Sequence, residues 1–178
     1  MIVIGVDPGL AATGFGVVAR RGARLVALDG GVVRTGPGTP EELRLAEIFA
    51  RLGALLDEHR PAALAIEQLY FGRNVRSALA VGQARGAVLL AAGQRGVDCA
   101  AYTPQQVKAA VCGGGGAAKA QVQRMVGALL SLPEPPREDH AADALAVAIC
   151  HHNHAPHAAA ADAAMAPPAA AVLAGGAA

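Results

Sequence analysis

Short apolar runs alternate with longer segments of helical period along the first 153 residues of the chain. Five of these runs are four to ten residues long. The first is rich in β-branched residues, as expected of a strand buried on both faces. The second follows Thr13 and Gly14 closely enough to form a hairpin with the first. The predicted strands are 2–6, 15–18, 24–33, 62–66 and 97–102.

Apolar residues at i, i+3, i+4 and i+7 predict helices between and after these strands. The first helix is the clearest, because an apolar stripe runs from Leu45 to Leu56 behind Thr39 and Pro40. This order predicts Thr39 as the N-cap and Pro40 as the first helical residue. Thr103 opens a short helix in the same way, ahead of four consecutive glycines. The predicted helices start near residues 40, 75, 104, 117 and 138; the second ends near 95 and the last near 152.

The chain is long enough for one domain with a single core, and we assign that domain to residues 1–153. Beyond it the sequence is mostly alanine and proline without an apolar period, so we predict that residues 154–178 form a disordered tail. A cluster of histidines beside a cysteine raises the alternative of a soft-metal site, although zinc ligands usually come from separated elements. That cluster is Cys150, His151, His152, His154 and His157.

Composition narrows the class of protein without naming it. The formal net charge of +1 gives no overall attraction to a polyanion, so a nucleic-acid surface would have to be a local basic patch. The three cysteines are far apart, which argues against a disulfide framework and for a reducing compartment. The N-terminal apolar run is too short for a signal peptide or a membrane span. We therefore expect a cytoplasmic protein without a membrane partner.

Carboxylates stand directly after two predicted strands and at the start of the last predicted helix. Asp7 follows the first strand and Glu67 the fourth, and an acid buried there is costly unless a cation meets it. On the last helix, residues three and four apart share a face, so both Asp139 and His140 can stand beside Asp143. Two carboxylates about 4 Å apart repel by roughly 4 kcal/mol at an effective dielectric near 20. Their convergence would therefore require protons or cations.

Oxygen ligands of this kind favour Mg²⁺ or Mn²⁺, and an imidazole among them shifts the preference toward Mn²⁺. Two such ions can activate water and stabilise the leaving oxygen in phosphodiester hydrolysis. Each acid taken alone is more often an ordinary helix cap or an exposed charge, and the pattern leaves that alternative open. It also leaves open whether Asp139 or His140 completes the set.

Four motifs and one further segment closely resemble the RuvC family of crossover-junction endonucleases. The motifs are Gly-Val-Asp-Pro-Gly at 5–9, Ile-Glu-Gln at 66–68, Gly-Gln-Ala-Arg-Gly at 82–86 and Asp-Ala-Leu-Ala-Val-Ala from 143, and the segment is 106–123. The resemblance covers about residues 1–153 and keeps the family's order and spacing. It implies a ribonuclease-H-like α/β fold with a central mixed five-stranded sheet flanked by helices. It further implies a metal-dependent homodimer that nicks two opposed strands of a four-way Holliday junction symmetrically.

The resemblance also implies roles for individual residues. The family's catalytic, metal-holding carboxylates fall on Asp7, Glu67 and Asp143, and its fourth ligand position, three before Asp143, falls on His140. Lys108 and Lys119 match basic residues beside the catalytic site, where they would contact phosphates or developing charge.

The DNA and protein contacts implied by the resemblance lie elsewhere in the chain. The loop aromatic used near unstacked junction bases falls on Tyr70, and such stacking is worth about 1–3 kcal/mol per base. Phe71, Arg73 and Arg76 lie in the same aromatic and basic segment and are expected to bind DNA with it. The family's dimer helix falls around positions 82 and 86, the residues Gly82 and Gly86. A branch-migration helicase complex of the RuvA-RuvB type is the second expected partner, besides four-way junction DNA.

Two other functions remain open from the sequence. An actin-like ATPase also carries Asp-x-Gly after its first strand, but this chain is too short for the two lobes of that fold. A junction-binding dimer without nuclease activity would require that Asp7, Glu67, His140 and Asp143 do not converge.

Overall fold

The computed structural model describes residues 1–68 and 75–165, with the side chains of 1–68 and 77–155. None of the helices in these ranges is long and apolar enough to cross a membrane. The second helix ends, and the fifth strand begins, two residues inside the predicted bounds. The elements are β1 (Ile2–Asp7), β2 (Ala12–Arg21), β3 (Arg24–Arg34), α1 (Glu41–His59), β4 (Ala63–Glu67), α2 (Val75–Gly93), β5 (Cys99–Tyr102), α3 (Pro104–Cys112), α4 (Lys119–Leu129) and α5 (Asp139–Met165).

The strands form one mixed sheet in the order β3-β2-β1-β4-β5. The pairs β1–β2 and β2–β3 are antiparallel, because short connections join these consecutive strands. The pairs β1–β4 and β4–β5 are parallel, because connections that contain a helix return the chain to the same direction. This sheet, with helices packed against it, confirms the predicted fold class.

Helices cover both faces of the sheet, and the alternation of side chains along β1 decides which helices each residue meets. Val3 belongs to the core shared with α3, α4 and α5. Ile4 points the other way and belongs to the core shared with α1 and α2. Both side chains are fully buried. Burial on both faces explains why β1 is an unbroken apolar run rather than an alternating one.

α5 lies close against β1 and β2 because glycines take the place of side chains along the contact. A Cβ built on Gly5 would overlap the carbonyl oxygen of Ala144 and stand 2.6 Å from the amide nitrogen of Ala148. A Cβ built on Gly14 would overlap the carbonyl oxygen of His140. Both positions therefore require glycine for this approach. The contact sets the position of the start of α5 relative to the ends of β1 and β2.

The two predicted helix starts have different outcomes. α3 has the predicted capping box, since the Thr103 side chain accepts from the Gln106 amide and the Gln106 side chain accepts from the Thr103 amide. α1 instead has Pro40 as its N-cap, with an extended ψ of 144° and no capping side chain. The prediction of Thr39 as the N-cap is therefore wrong, because Pro40 keeps the chain extended for one residue more.

α5 continues to Met165, well beyond its predicted end near residue 152. Residues 155–165 are rich in alanine, which has the highest helix propensity, so the helix is extended despite Pro156. Pro156 has no N–H to donate to the carbonyl oxygen of His152, and the Arg20 guanidinium donates to that oxygen instead, at 2.7 Å. The predicted end of the last helix near residue 152 is therefore wrong, and the prediction of a disordered tail stays a prediction. Residues 166–178 lie outside the described part of the chain.

We expect Gly5→Ala to lower the free energy of unfolding by about 1–3 kcal/mol, since the new methyl group forces α5 away from the sheet. Chemical denaturation followed by circular dichroism measures the change. Gly93→Ala is the matched control, because no atom lies within 4 Å of a Cβ built there and alanine is the better helix former, by up to about 1 kcal/mol. A Gly5→Ala protein as stable as the unaltered one would contradict the close contact.

Candidate active site

Two neighbouring parallel strands end in carboxylates at the same edge of the sheet. β1 and β4 pair in register through Val6 and Ile66, so Asp7 and Glu67, the next residues, lie side by side at the carboxyl ends of the strands. Asp7 shares a face of β1 with Val3, which contacts the helices of the α5 side. The sheet therefore directs both acids toward α5.

The first turns of α5 supply two more predicted site residues. Nδ1 of His140 lies 2.7 Å from Oδ2 of Asp7, a hydrogen bond between residues 133 positions apart in sequence. Gly14, paired with Asp7 across β1 and β2, allows this approach because it leaves room for the backbone of His140. Asp143, one turn further along α5, lies 3.3 Å from the ammonium nitrogen of Lys119 at the start of α4.

Two adjoining pockets contain the predicted catalytic residues, and Glu67 lines both of them. The first, of about 190 Å³, has two lysines facing two carboxylates. The second, of about 360 Å³, contains the Asp7 and His140 pair. The first is lined by Glu67, Pro104, Val107, Lys108, Lys119, Val122, Asp143 and Val147. The second is lined by Asp7, Pro8, Gly9, Glu67, Gln68, Val81, Pro104 and His140.

Burial, followed by repulsion between neighbouring carboxylates, disfavours the charged forms of Glu67 and Asp7. Burial, followed by the charges of Asp7 and Asp143, raises the pKa of Glu67 to about 7, although Lys119 and Lys108 oppose the rise. Burial also raises the pKa of Asp7, even though the hydrogen bond from His140 favours its charged form. Additional positive charge beside Glu67 and Asp7 would therefore favour their charged forms.

The donor set suits a divalent cation, because it consists of carboxylate oxygens, whose charges repel one another, and one imidazole. Among the described side chains, however, no three His, Cys, Asp or Glu groups stand close enough together to share one metal ion. His140 is hydrogen-bonded to Asp7, and Asp143 is paired with Lys119. Ion binding would therefore have to open at least one of these contacts.

Asp139 and His140, which the sequence left as rivals, have different partners in the structure. His140 meets Asp7, whereas Asp139 accepts a hydrogen bond of 2.6 Å from Gln123 and pairs with Lys119 at 3.2 Å. The hydrogen bond with Lys119 lowers the pKa of Asp139. His140 is therefore the residue placed to complete the set with Asp7.

The structure brings six of the predicted site residues to one edge of the sheet, namely Asp7, Glu67, Lys108, Lys119, His140 and Asp143. Their roles in catalysis and metal binding stay predictions. The predicted DNA-binding residues Tyr70, Phe71 and Arg73 lie outside the described residues, as does the side chain of Arg76.

Two contacts at the site were missed in the sequence. Arg85 on α2 donates to the carbonyl oxygen of Glu67 at 2.9 Å, and so fixes the end of β4. Its place within the Gly-Gln-Ala-Arg-Gly motif was the available sign. The second missed contact is the hydrogen bond from Gln123 to Asp139. Its sign in the sequence was the spacing of Lys119 and Gln123, which lie one turn apart on the same face of α4.

The histidine and cysteine cluster on α5 does not form a metal site among the described side chains. Cys150 lies 3.5 Å from Nδ1 of His154, while Nδ1 of His151 lies 3.0 Å from the Tyr102 hydroxyl. Burial raises the pKa of the Cys150 thiol to about 12, so this thiol is unsuited to act as a thiolate ligand. The side chain of His157 is outside the described part.

Comparison with known proteins identifies the family of the chain. Residues 3–151 match the family model for crossover junction endodeoxyribonuclease RuvC. RuvC of Pelotomaculum thermopropionicum is 50% identical over 154 residues, 86% of this chain and 94% of that protein. RuvC of Heliobacterium modesticaldum is 51% identical over 150 residues, 84% of this chain and 93% of that protein. The structure of Thermus thermophilus RuvC in complex with Holliday junction substrate superposes with a TM-score of 0.85 at 46% identity, over 89% of this chain and 96% of that one. The chain therefore belongs to the RuvC family of crossover junction endodeoxyribonucleases.

Proposed function

We propose that this protein is a structure-selective endonuclease that resolves Holliday junctions by nicking two opposed strands symmetrically, in DNA recombination and repair. The observation that carries the proposal is the meeting of three buried or half-buried acids with two lysines at one edge of the sheet. Family membership supports the reaction, and the Thermus thermophilus complex with a Holliday junction supports the substrate. The actin-like ATPase and the non-catalytic dimer have no comparable support.

RuvC nucleases depend on divalent metal ions, and we propose two ions, Mg²⁺ or Mn²⁺, for this site. Asp7, Glu67, His140 and Asp143 would hold them. When bound, such ions neutralise the carboxylates, activate water and stabilise the leaving oxygen. The raised pKa values of Glu67 and Asp7 support this assignment, because burial disfavours their charged forms and a bound cation would favour them.

The residues of the chain contribute orientation and charge to the reaction. His140 orients the Asp7 carboxylate through their 2.7 Å hydrogen bond. Lys119 and Lys108 face the carboxylates across the first pocket and would contact the scissile phosphate or its developing charge. Arg85 holds the backbone of Glu67 in place. The proposed site thus combines fixed acids with cations that suit a phosphodiester.

We propose that Tyr70, Phe71, Arg73 and Arg76 bind the unstacked centre of the junction. The proposal rests on their place in the sequence, directly after Glu67 at the acidic edge. Aromatic rings stack on bases regardless of sequence, and arginines neutralise phosphates, so this composition fits a branched DNA surface.

We also propose a homodimer formed through α2, around Gly82 and Gly86. Leu79 and Leu90 on this helix are 63% and 56% exposed, and Gly86 between them is exposed with no atom within 4 Å of a Cβ built there. The spacing of seven and four residues places all three on one face of the helix. An exposed apolar stripe around a glycine favours close packing against a second helix.

Two further proposals concern the setting of the enzyme. A branch-migration helicase complex of the RuvA-RuvB type is the proposed partner at the junction, following the family resemblance. A cytoplasmic location is proposed because Cys99, Cys112 and Cys150 are all free thiols, as in reducing compartments.

The unaltered protein should cut a synthetic four-way junction in paired nicks and leave a linear duplex of the same sequence intact. Asp7→Asn should slow single-turnover cleavage by roughly 100-fold or more, because a metal-holding and charge-stabilising carboxylate is lost. Denaturing gels in Mg²⁺ and in Mn²⁺ measure both results. Glu58→Gln, an exposed acid on α1, is the control and should cut normally. Full activity of Asp7→Asn, or equal cutting of the duplex, would refute the proposal.

Glu67→Gln should stabilise the metal-free protein at pH 8 by about 1–2 kcal/mol, a value reduced for partial exposure. The folded pKa, about 7, lies above the unfolded value of 4.5, so the folded state binds more protons between these values and loses stability as pH rises through them. The difference between the two proteins should therefore vanish below pH 4.5. Chemical denaturation of both proteins in a chelating buffer measures this difference in the free energy of unfolding. Excess Mg²⁺ or Mn²⁺ in place of the chelator should make the difference smaller. A pH-independent difference would contradict the assignment.

Leu79→Glu combined with Leu90→Glu should convert a dimer to a monomer, since two charges would be buried against the partner helix. Analytical ultracentrifugation measures the mass. Leu43→Glu on α1 changes an equally exposed leucine, at 56%, and should leave the dimer intact. A monomeric unaltered protein, or a dimer that survives both charges, would contradict the proposed interface.

A further inference from the structure

The first residues of α5 and the residue before it each contact a different part of the fold. Glu138 pairs with Arg34 at the end of β3, and His140 contacts Asp7 at the end of β1. Asp139, between them, contacts only α4 among the contacts described, through Lys119 and Gln123. The family resemblance assigns no role to Asp139, and its partners give it a different task from that of His140.

Lys119 occupies an unfavourable place for a cation. It is the first residue of α4, where the helix macrodipole is positive, and no acidic residue of that turn offsets it. Its side chain is 53% exposed and carries about 2 kcal/mol of rotamer entropy, so it would not keep one position without outside contacts. Asp139 and Asp143 supply them, at 3.2 and 3.3 Å from the ammonium nitrogen.

The two carboxylates differ in what else they must do. Asp143 faces the pocket with Glu67 and is a proposed metal ligand, so ion binding would draw its oxygens away from Lys119. Asp139 has both oxygens engaged on α4, Oδ1 with Gln123 and Oδ2 with Lys119. It is therefore the contact that can hold Lys119 whether or not Asp143 holds a metal ion.

Gln123 makes this contact directional. Lys119 and Gln123 lie one helical turn apart on α4, so their side chains approach Asp139 from the same helix face. Gln123 donates a hydrogen bond to Oδ1 of Asp139, and Oδ2 of the same carboxylate faces the ammonium group of Lys119.

We propose that Asp139, fixed by Gln123, is a positioning residue that holds the ammonium group of Lys119 at the rim of the catalytic pocket for contact with a substrate phosphate. The proposal rests on the proposed nuclease function and adds a residue to it. Among the contacts of the described residues, Asp139 meets Lys119 and Gln123 but none of the proposed metal ligands of the sheet, so it would act through Lys119.

Asp139→Asn tests the proposal with two independent readouts. The order parameter of the Lys119 Cε methylene, measured by NMR relaxation on ¹³C-lysine-labelled protein, should fall to the value of an unpaired surface lysine. Single-turnover junction cleavage should slow roughly 10- to 100-fold, as for a misplaced catalytic group, while the Kd for the junction and the Mn²⁺ concentration dependence stay unchanged. Gln123→Ala should shift both readouts in the same direction by less.

Glu134→Gln is the matched control, since Glu134 is an exposed acid in a salt bridge with Arg137 in the segment that leads into α5. It should change neither readout. An unchanged Lys119 order parameter in Asp139→Asn overturns the proposal whether or not junctions are cut. A lowered order parameter with full cleavage, or a shifted Mn²⁺ dependence, also overturns it. Failure of the unaltered protein to cut junctions instead overturns the proposed function, and the order parameter still decides whether Asp139 holds Lys119.

Discussion

The close approach of α5 to β1 and β2 is the constraint on which the rest of the site depends. Gly5 and Gly14 have no side chains, so the helix backbone reaches the sheet directly. A helix kept away by even one methyl group would not bring His140 within hydrogen-bonding distance of Asp7. Close packing of this kind adjusts poorly, because protein interiors are nearly as dense as organic crystals. The geometry of the acidic edge therefore depends on the absence of side chains at Gly5 and Gly14.

The pairing of β1 with β4 places two acids where their closeness and burial lower the stability of the folded state. Asp7 and Glu67 are held beside one another by the backbone pairing of their strands, and the hydrogen bonds of the ladder do not relax to separate them. Burial, with the charges of Asp7 and Asp143 added to it, raises the pKa of Glu67. Cores elsewhere in the fold compensate for this loss of stability, with fully buried residues on both sides of β1. A stable scaffold that carries an unfavourable cluster is typical of a functional site.

The strands, the helices and the carboxylates Asp7 and Glu67 could be predicted from local patterns, whereas the mixed five-stranded sheet and the choice of Lys108, Lys119 and His140 came from the family resemblance. Buried strands show as apolar runs, helices as periodic stripes, and Asp7 and Glu67 stand directly after strands. The pairings at the start of α5 could not be predicted, because helix geometry allows either Asp139 or His140 to stand beside Asp143. Only the glycine contacts with the sheet determine which one meets β1. The extent of α5 was missed for a similar reason. The carbonyl oxygen of His152, which Pro156 leaves without a helical donor, accepts a hydrogen bond from Arg20 on a strand that is distant in sequence.

α5 is tied to the β2–β3 hairpin at two levels, by Arg34 to Glu138 just before its start and by Arg20 to the carbonyl of His152 about four turns later. A strand advances about 3.3 Å per residue. One residue inserted into or deleted from β2 between these two contacts would therefore shift Arg20 relative to Arg34 by about that distance. Over evolutionary time the length of β2 should therefore be as restricted as the acids themselves.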